Sequence, residues 1–545
     1  MKYLPLLLVL LLCTCGRAPK STMGEWVPYD QARELSKNAD HENRRLRYRL
    51  IQSRITDRNV MLSAAKNQLG DFKAADYERL KPMIYEANIT SLQAQVSSGG
   101  LTYELITKWY LYRIVKFESD RDTYLNAIIS INPNAVAEAK AKDERVGSML
   151  PNLIFGLPVL LKDNVDFAGL PTTAGADALR NNEAQDAYIT TRLKKNGAII
   201  LGKTNLSEWA NFLCDGCPNG YSAVGGQTLN AYGRRTIDTG GSSSGSGVAI
   251  AANYAVAAVG TETSGSILSP SSQSSLVGLK PTVGLLSRTG IVPISSTLDT
   301  PGPMTRSVSD NAILLSAMRG KDATDPATNF NAPETDYLKS TEVRRLDGKR
   351  FGVIRRFLEN PLYATAVGKV ISLGADTVIY DPPQIGLDGF LSLLNGDMKT
   401  DLPAYLKAHA GPEVAVTDIS SVIRHNLADT TRRAPYGQAR FLGVEEEQTV
   451  GPALDKLRDE LRANGVRYFD EPMTAHRLDG VLSINNYSAG FAAVAHYPAL
   501  TVPMGYDEDG VPFGLTFIGR PFTEEDLLSW GVAFEQRVRA RRPAF

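Results

Sequence analysis

Two serines and a lysine are the residues of this chain whose placing points to covalent chemistry. Thr239-Gly240-Gly241-Ser242-Ser243-Ser244-Gly245-Ser246-Gly247 runs straight into the small-residue stretch Val248-Ala249-Ile250-Ala251-Ala252. A second serine loop, Gly260-Thr261-Glu262-Thr263-Ser264-Gly265-Ser266, follows just past it. Upstream, Lys162 ends the apolar run Leu157-Pro158-Val159-Leu160-Leu161. A serine hydroxyl is a weak nucleophile until a base removes its proton, and no histidine stands near these motifs. Lysine does that work only when neutral. Its reference pKa near 10.4 leaves roughly one molecule in 2,500 neutral at pH 7, a penalty of about 4 to 5 kcal/mol. Burial behind an apolar strand lowers that pKa and recovers much of the penalty.

The first loop taken alone admits other readings. A flexible linker needs polar flanks, and here an apolar helix follows at once. A phosphate loop needs Lys-Ser or Lys-Thr after Gly245, where this chain has Ser246-Gly247. Gly241-Ser242-Ser243-Ser244-Gly245 satisfies the G-x-S-x-G of a nucleophile elbow, with Ser243 as the attacking residue. That elbow wants a strand running into it, and Arg234-Arg235-Thr236-Ile237-Asp238 makes a poor buried strand. Lys162 alone reads as a strand-end lysine reaching for water. Two serine loops around one buried helix, with a lysine at the end of a buried strand, point instead to a joint site.

The elements that would position such a site are α/β in texture. Between 150 and 330, short apolar runs (Leu157 to Leu161, Ala198 to Leu201, Ala255 to Val259) alternate with Gly, Ser and Thr clusters, as buried strands and helices joined by tight loops do. Arg350 to Phe357 and Asp376 to Tyr380 read as strands flanking a helix, a βαβ rhythm. The span 384 to 475 is mostly helical and polar, and a short strand returns at Ala499 to Val502 between Pro498 and Pro503. Leu101, Leu105, Ile106, Tyr110 and Ile114 predict a helix with one apolar face. The charge-rich stretch from 28 to 85 predicts solvated helices on the outside of something larger.

At 545 residues with 43% apolar content, the chain has ample material for a core, which argues against disorder as its theme. Its 59 basic and 59 acidic residues cancel, with no long basic run, so nucleic acid is not an expected partner. Five scattered histidines and four cysteines give no metal-ligand spacing, and neither metal nor cofactor is expected. Met1-Lys2 followed by the apolar Leu4 to Leu12 reads as a secretory signal. Leu12-Cys13-Thr14-Cys15 resembles a bacterial lipobox, in which a lipid on Cys15 would attach the chain to a membrane. The expectation is therefore an exported protein of the periplasm or envelope. Export exposes Cys214 and Cys217 to oxidation; their C-x-x-C follows a helical-looking segment, so a loop disulfide or a free pair is expected rather than a redox centre.

The stretch from Gly156 through Lys162 to Asp166, the Gly240–Ser246 loop and the Gly260–Ile267 loop together resemble the amidase signature family. The likeness continues through Val277–Arg288, Asp299–Ser307, Leu201–Ala210 and Pro498–Gly505, and covers roughly residues 88 to 540. Ser207–Asn211 and Gly225–Asn230 look most like bacterial peptide amidases. The resemblance implies a large mixed β-sheet core covered by helices on both faces. It divides the chain into a signal segment (1–15), a linker with peripheral helices (16–85) and an amidase signature domain (86–545). It also implies a Ser-Ser-Lys triad: Ser266 attacks the amide carbonyl, Ser242 relays the proton and Lys162 is the base. The spacing of the two serines matches the family and selects Ser242 over Ser243 as the relay. A cis peptide is implied before Ser242, with Gly241 easing the crowding there. The N–H groups of Thr263, Ser264, Gly265 and Ser266 are implied as the oxyanion hole, and Ser243 as a support that bonds the lysine or the loop.

Two departures stand out. Relatives commonly carry Gly-Gly-Ser where this chain has Ser264-Gly265-Ser266, so a Cβ at 264 narrows the backbone's choices. Leu268 stands where many relatives place arginine. The expected activity is hydrolysis of a carboxylic amide, with peptide C-terminal amides as the first substrate class. The rivals are an amidotransferase-type subunit that supplies ammonia, and a non-catalytic envelope lipoprotein that binds amides or peptides. The sequence assigns no oligomeric state.

Overall fold

The computed structural model describes residues 23–146, 152–328 and 335–545. The stretch read as a secretory signal and the lipobox-like Cys15 lie outside them. In chain order the strands are β1 Ile128–Ile131, β2 Pro158–Lys162, β3 Ile199–Thr204, β4 Tyr221–Ser222 and β5 Gly226–Gln227. They continue with β6 Ala257–Glu262, β7 Val277–Lys280, β8 Thr300–Thr305, β9 Arg350–Ile354 and β10 Asp376–Tyr380. The last are β11 Gly480–Ile484, β12 Ala499–Tyr506 and β13 Pro512–Ile518. Eleven of them form one sheet in the order β1-β3-β2-β6-β8-β7-β12-β13-β11-β9-β10, while β4 and β5 pair separately. The sheet is mixed: β2 runs parallel to β3 and β6, and β9 parallel to β10 and β11. Its central strands β2 and β6 are buried at every residue, which explains their unbroken apolar runs: helices cover both faces.

The expected βαβ unit is present, as β9, the helix Pro361–Ser372 and β10, with Arg350 opposite Asp376. The strand expected at Ala499 to Val502 extends to Tyr506, because a bulge between Pro503 and Gly505 accommodates the proline that should have ended it. The helix Tyr103–Glu118 is buried on more than one face. Its Arg113 survives there because it donates to the Ala252 and Phe545 carbonyls and to the Tyr77 hydroxyl. The N-terminal helices are less peripheral than their charge suggests. Met61, Leu62 and Ala65, then Tyr77, Leu80 and Ile84, enter the same hydrophobic core as the sheet. A second core joins the helices between 390 and 461 to Trp209, Leu213 and Leu298.

Candidate active site

Parallel pairing sets Leu161 of β2 opposite Val259 of β6, so Lys162 emerges beside the Gly260–Glu262 end of β6. The carboxyl ends of parallel strands are where open α/β sheets leave room for ligands. The helix Ser244–Ala251, buried along its whole length, carries the first serine loop to that end, and β6 delivers the second.

Lys162 is fully buried, at 0% exposure. Its Nζ donates to Thr261 Oγ1 (2.8 Å) and to the Thr261 carbonyl (3.1 Å), and lies 2.8 Å from Ser242 Oγ. Burial lowers its pKa to about 7, against the opposing pull of Asp299 and Glu262. About half of the molecules are then neutral at pH 7, and most of the protonation penalty disappears. Asn164 Nδ2 donates to Thr261 Oγ1 at 3.0 Å, fixing the hydroxyl that faces the lysine.

Ser242 is equally buried. The Gly241–Ser242 peptide is cis, and the Ser242 carbonyl accepts from Ser207 N at 3.0 Å. Gly240 has φ +64°, and a Cβ there would come within 2.7 Å of Pro270 N, so the loop needs a glycine at that turn. The other serines of the loop face elsewhere. Ser243 Oγ donates to the Thr261 carbonyl (3.0 Å) and accepts from Thr261 N (3.2 Å). Ser244 Oγ donates to the Gly240 carbonyl and Ser246 Oγ to the Val259 carbonyl. Among these four, Ser242 alone has its hydroxyl on the lysine. Ser243, the elbow candidate, is fully buried and braces the loop against β6.

Ser266 lies on the neighbouring turn, its carbonyl accepting from Ser243 N at 3.2 Å. It is 8% exposed where Lys162 and Ser242 are 0%, so it is the member of the three that solvent or substrate can reach. Glu262 holds its turn: one carboxylate oxygen accepts from Ile267 N (2.7 Å) and Leu268 N (3.0 Å). The left-handed position in the turn falls on Gly265 (φ +82°), whose Cβ would lie 2.8 Å from Asn486 Nδ2. Ser264 is not among the left-handed residues, so its Cβ adds no backbone strain. Thr263 donates its hydroxyl to Asp299, whose second oxygen accepts from Ile294 N (2.8 Å) and Ser295 N (3.0 Å). Burial raises the pKa of Asp299. Leu268 is buried and carries no charge to the site.

A cavity of about 290 Å³ opens beside these groups. Asn164, Thr261, Thr263 and Asp299 line it, as do Asp401, Ala404, Tyr405 and Ala408 of the helix Phe390–Ala408. Reading of the sequence overlooked Thr261, Asn164, Glu262, Asp299 and this helix. The first four stand inside or beside the quoted motifs as polar residues on buried positions, and that was their available signal. Cys214 and Cys217 form a disulfide in the loop that leads to Asn219 and Gly220. Gly220 N donates to Ser207 Oγ, so this loop backs the residue that holds the Ser242 carbonyl.

Comparison with known proteins agrees with this architecture. The family model described as Amidase matches residues 107–528. The chain is 36% identical to a protein of Arabidopsis thaliana named "Probable amidase", over 84% of this chain and 91% of that one. It is 31% identical to a glutamyl-tRNA(Gln) amidotransferase subunit of Levilactobacillus brevis, over 83% of this chain and 97% of that one. Among solved structures, the native peptide amidase of Stenotrophomonas maltophilia superposes with a TM-score of 0.81 at 38% identity, covering 85% of this chain and 99% of that one. Motif order, sheet and similarity converge: the chain belongs to the amidase signature family and is an amide hydrolase.

Proposed function

We propose that the chain cleaves a carboxylic amide through an acyl-Ser266 intermediate, with Ser242 as proton relay and Lys162 as base. One observation carries this reading: a fully buried lysine with a pKa of about 7 sits 2.8 Å from Ser242 Oγ. A neutral amine has two N–H bonds and one lone pair. Thr261 accepts both N–H bonds through its carbonyl and hydroxyl, which leaves the lone pair for the Ser242 proton. As Ser266 Oγ bonds to the carbonyl carbon, its proton passes to Ser242 and that of Ser242 passes to Lys162. The carbonyl electrons collect on oxygen, where the N–H groups of Thr263, Ser264, Gly265 and Ser266 stabilise them. Collapse breaks the C–N bond, and the leaving nitrogen takes the proton back along the same path as ammonia or an amine. Water then repeats the sequence on the acyl-serine and releases the acid.

Peptide C-terminal amides are the substrate class this reading favours, supported by the likeness to the Stenotrophomonas enzyme over nearly its whole length. The test is ammonia release from amidated peptides by wild type and Ser266→Ala. Release by the wild type and none by the variant, both folded, is expected. Equal turnover by the two would remove Ser266 from the chemistry, and binding without turnover by either would favour a non-catalytic binder.

A further inference from the structure

The lining of the cavity carries more carboxylates than cations. Three carboxylates and one guanidinium line it: Asp299, Asp325, Asp401 and Arg288. Arg288 belongs to Asp325, which it grips through Nε (3.0 Å) and Nη2 (2.5 Å), while its Nη1 donates to the Ser296 carbonyl. Asp299 has both oxygens occupied by Thr263, Ile294 and Ser295. Asp397, one helical turn before Asp401, pairs with Arg458 and accepts from Ser295 Oγ. His409 also lines the cavity, and burial lowers its pKa. Asp401 therefore has no ion pair of its own among the described residues: Arg288 attracts it, but that guanidinium is bonded to Asp325. Asp401 Oδ2 accepts from Ser296 N and the Ser296 hydroxyl also bonds the carboxylate, while Oδ1 has a long contact, 3.5 Å, from the neighbouring Thr400 hydroxyl.

Its placing is fixed. Ala404 and Ala408 follow Asp401 at helical spacing and keep that face of the helix Phe390–Ala408 open. Tyr405 anchors the helix, its hydroxyl donating to the buried Asp166 at 2.8 Å. A half-buried carboxylate with no ion pair of its own, lining the same cavity as Asn164 and Thr261, is a costly feature unless a ligand completes it.

We propose that Asp401 is a specificity-determining residue that receives an ammonium group on the amide substrate. The proposal rests on the Ser266 reading above, since the cavity serves substrate only if the reacting carbonyl lies by Thr261 and Thr263. A charge-assisted hydrogen bond in a half-buried site gives about tenfold to a hundredfold in kcat/KM. Burial raises the Asp401 pKa to about 6, so the carboxylate is mostly ionised at pH 7.

The experiment is a panel of short peptide amides in charge-matched pairs, lysine against norleucine and free α-amine against N-acetyl, scored by ammonia release at pH 7.5. Wild type is expected to favour at least one cationic member over its neutral partner by tenfold or more, and the ratio to fall with added salt. In Asp401→Asn, which keeps an acceptor for Ser296 N, that ratio should collapse towards one. The internal ratio is insensitive to a poorly folded fraction, and Asp401→Lys should move the preference to glutamate-bearing amides. Uniform turnover of the panel by wild type, abolished in Ser266→Ala, would overturn the role of Asp401 while leaving the Ser266 chemistry standing. A wild-type preference that survives Asp401→Asn would also overturn it. No turnover of any amide would sink both.

Discussion

If Lys162 is the base, its protonation must set the acid side of the pH profile. Burial takes its pKa down to about 7, and the difference from an ordinary lysine corresponds to about 5 kcal/mol. Substrate for the assay should be a neutral N-acetylated peptide amide, so that titration of Asp401 does not enter through binding. The expected kcat/KM rises tenfold per pH unit below 7, bends near 7 and is level to pH 9, standing at about one-hundredth of its plateau at pH 5. Lys162→Met should lose a factor of at least about 100 across the range, and Lys162→Arg should not restore it, because a guanidinium keeps its proton. The same shift acts on stability with a definite sign. Below pH 7 folded and unfolded chains both hold the proton; between about 7 and 10.5 only the unfolded chain does, so wild-type stability from this group rises by about 1.4 kcal/mol per pH unit there. The stability of wild type relative to Lys162→Met should therefore improve between pH 7 and 10, read from urea titrations of both proteins. A profile flat from pH 5.5 to 9, or one bending above 9, would refute the assignment of Lys162 as a base made neutral by burial.

Much of the site was legible because its parts are contiguous in the chain and lie on strands and loops with plain signatures. Lys162 closes an unbroken apolar run, and the loops at 240–247 and 260–266 are short, glycine-rich and joined by one buried helix. The remaining contacts depend on strand order, which local texture does not encode. Thr263 meets Asp299 because β6 and β8 pair antiparallel with Glu262 opposite Thr300, so the residues one step beyond face each other. Nothing between 263 and 299 in the sequence announces that register. The division of labour among Ser242, Ser243, Ser244 and Ser246 is likewise invisible to spacing, since four neighbouring hydroxyls offer the same chemistry until the backbone turns. Thr261 was hidden for a different reason: its side chain and its carbonyl both face Lys162, and a threonine on a β-strand is ordinarily read as a packing residue. In the fold, the misjudged parts were those where a local signal was overruled. Charge at 28–85 suggested solvation, but one face of each helix carries enough Leu, Ile, Met and Tyr to enter the core. Asp401 and its helix carry no motif, because a specificity wall is defined only by what stands across the cavity.

Two further expectations separate the supporting residues from the reacting ones. Cys217→Ser opens a bridge that closes a very short loop, so chain entropy gives a loss of about 2 kcal/mol. A lower melting temperature is expected, matched in wild type by added reductant; no change in either would deny the bridge a structural role. Ser243→Ala removes the hydroxyl that donates to the Thr261 carbonyl and accepts from Thr261 N, leaving the buried Thr261 N–H without that partner and the carbonyl with the bond from Lys162, at about 1 to 3 kcal/mol in stability. Ser242→Ala deletes a hydroxyl whose neighbour is Lys162, so it should leave melting nearly unmoved and lower turnover by a factor of about 100 or more. The two variants thus oppose each other in two measurements at once. Should Ser243→Ala abolish turnover in a folded protein while Ser242→Ala keeps it, the nucleophile-elbow reading would replace the Ser242 relay, and the lysine contact would be structural.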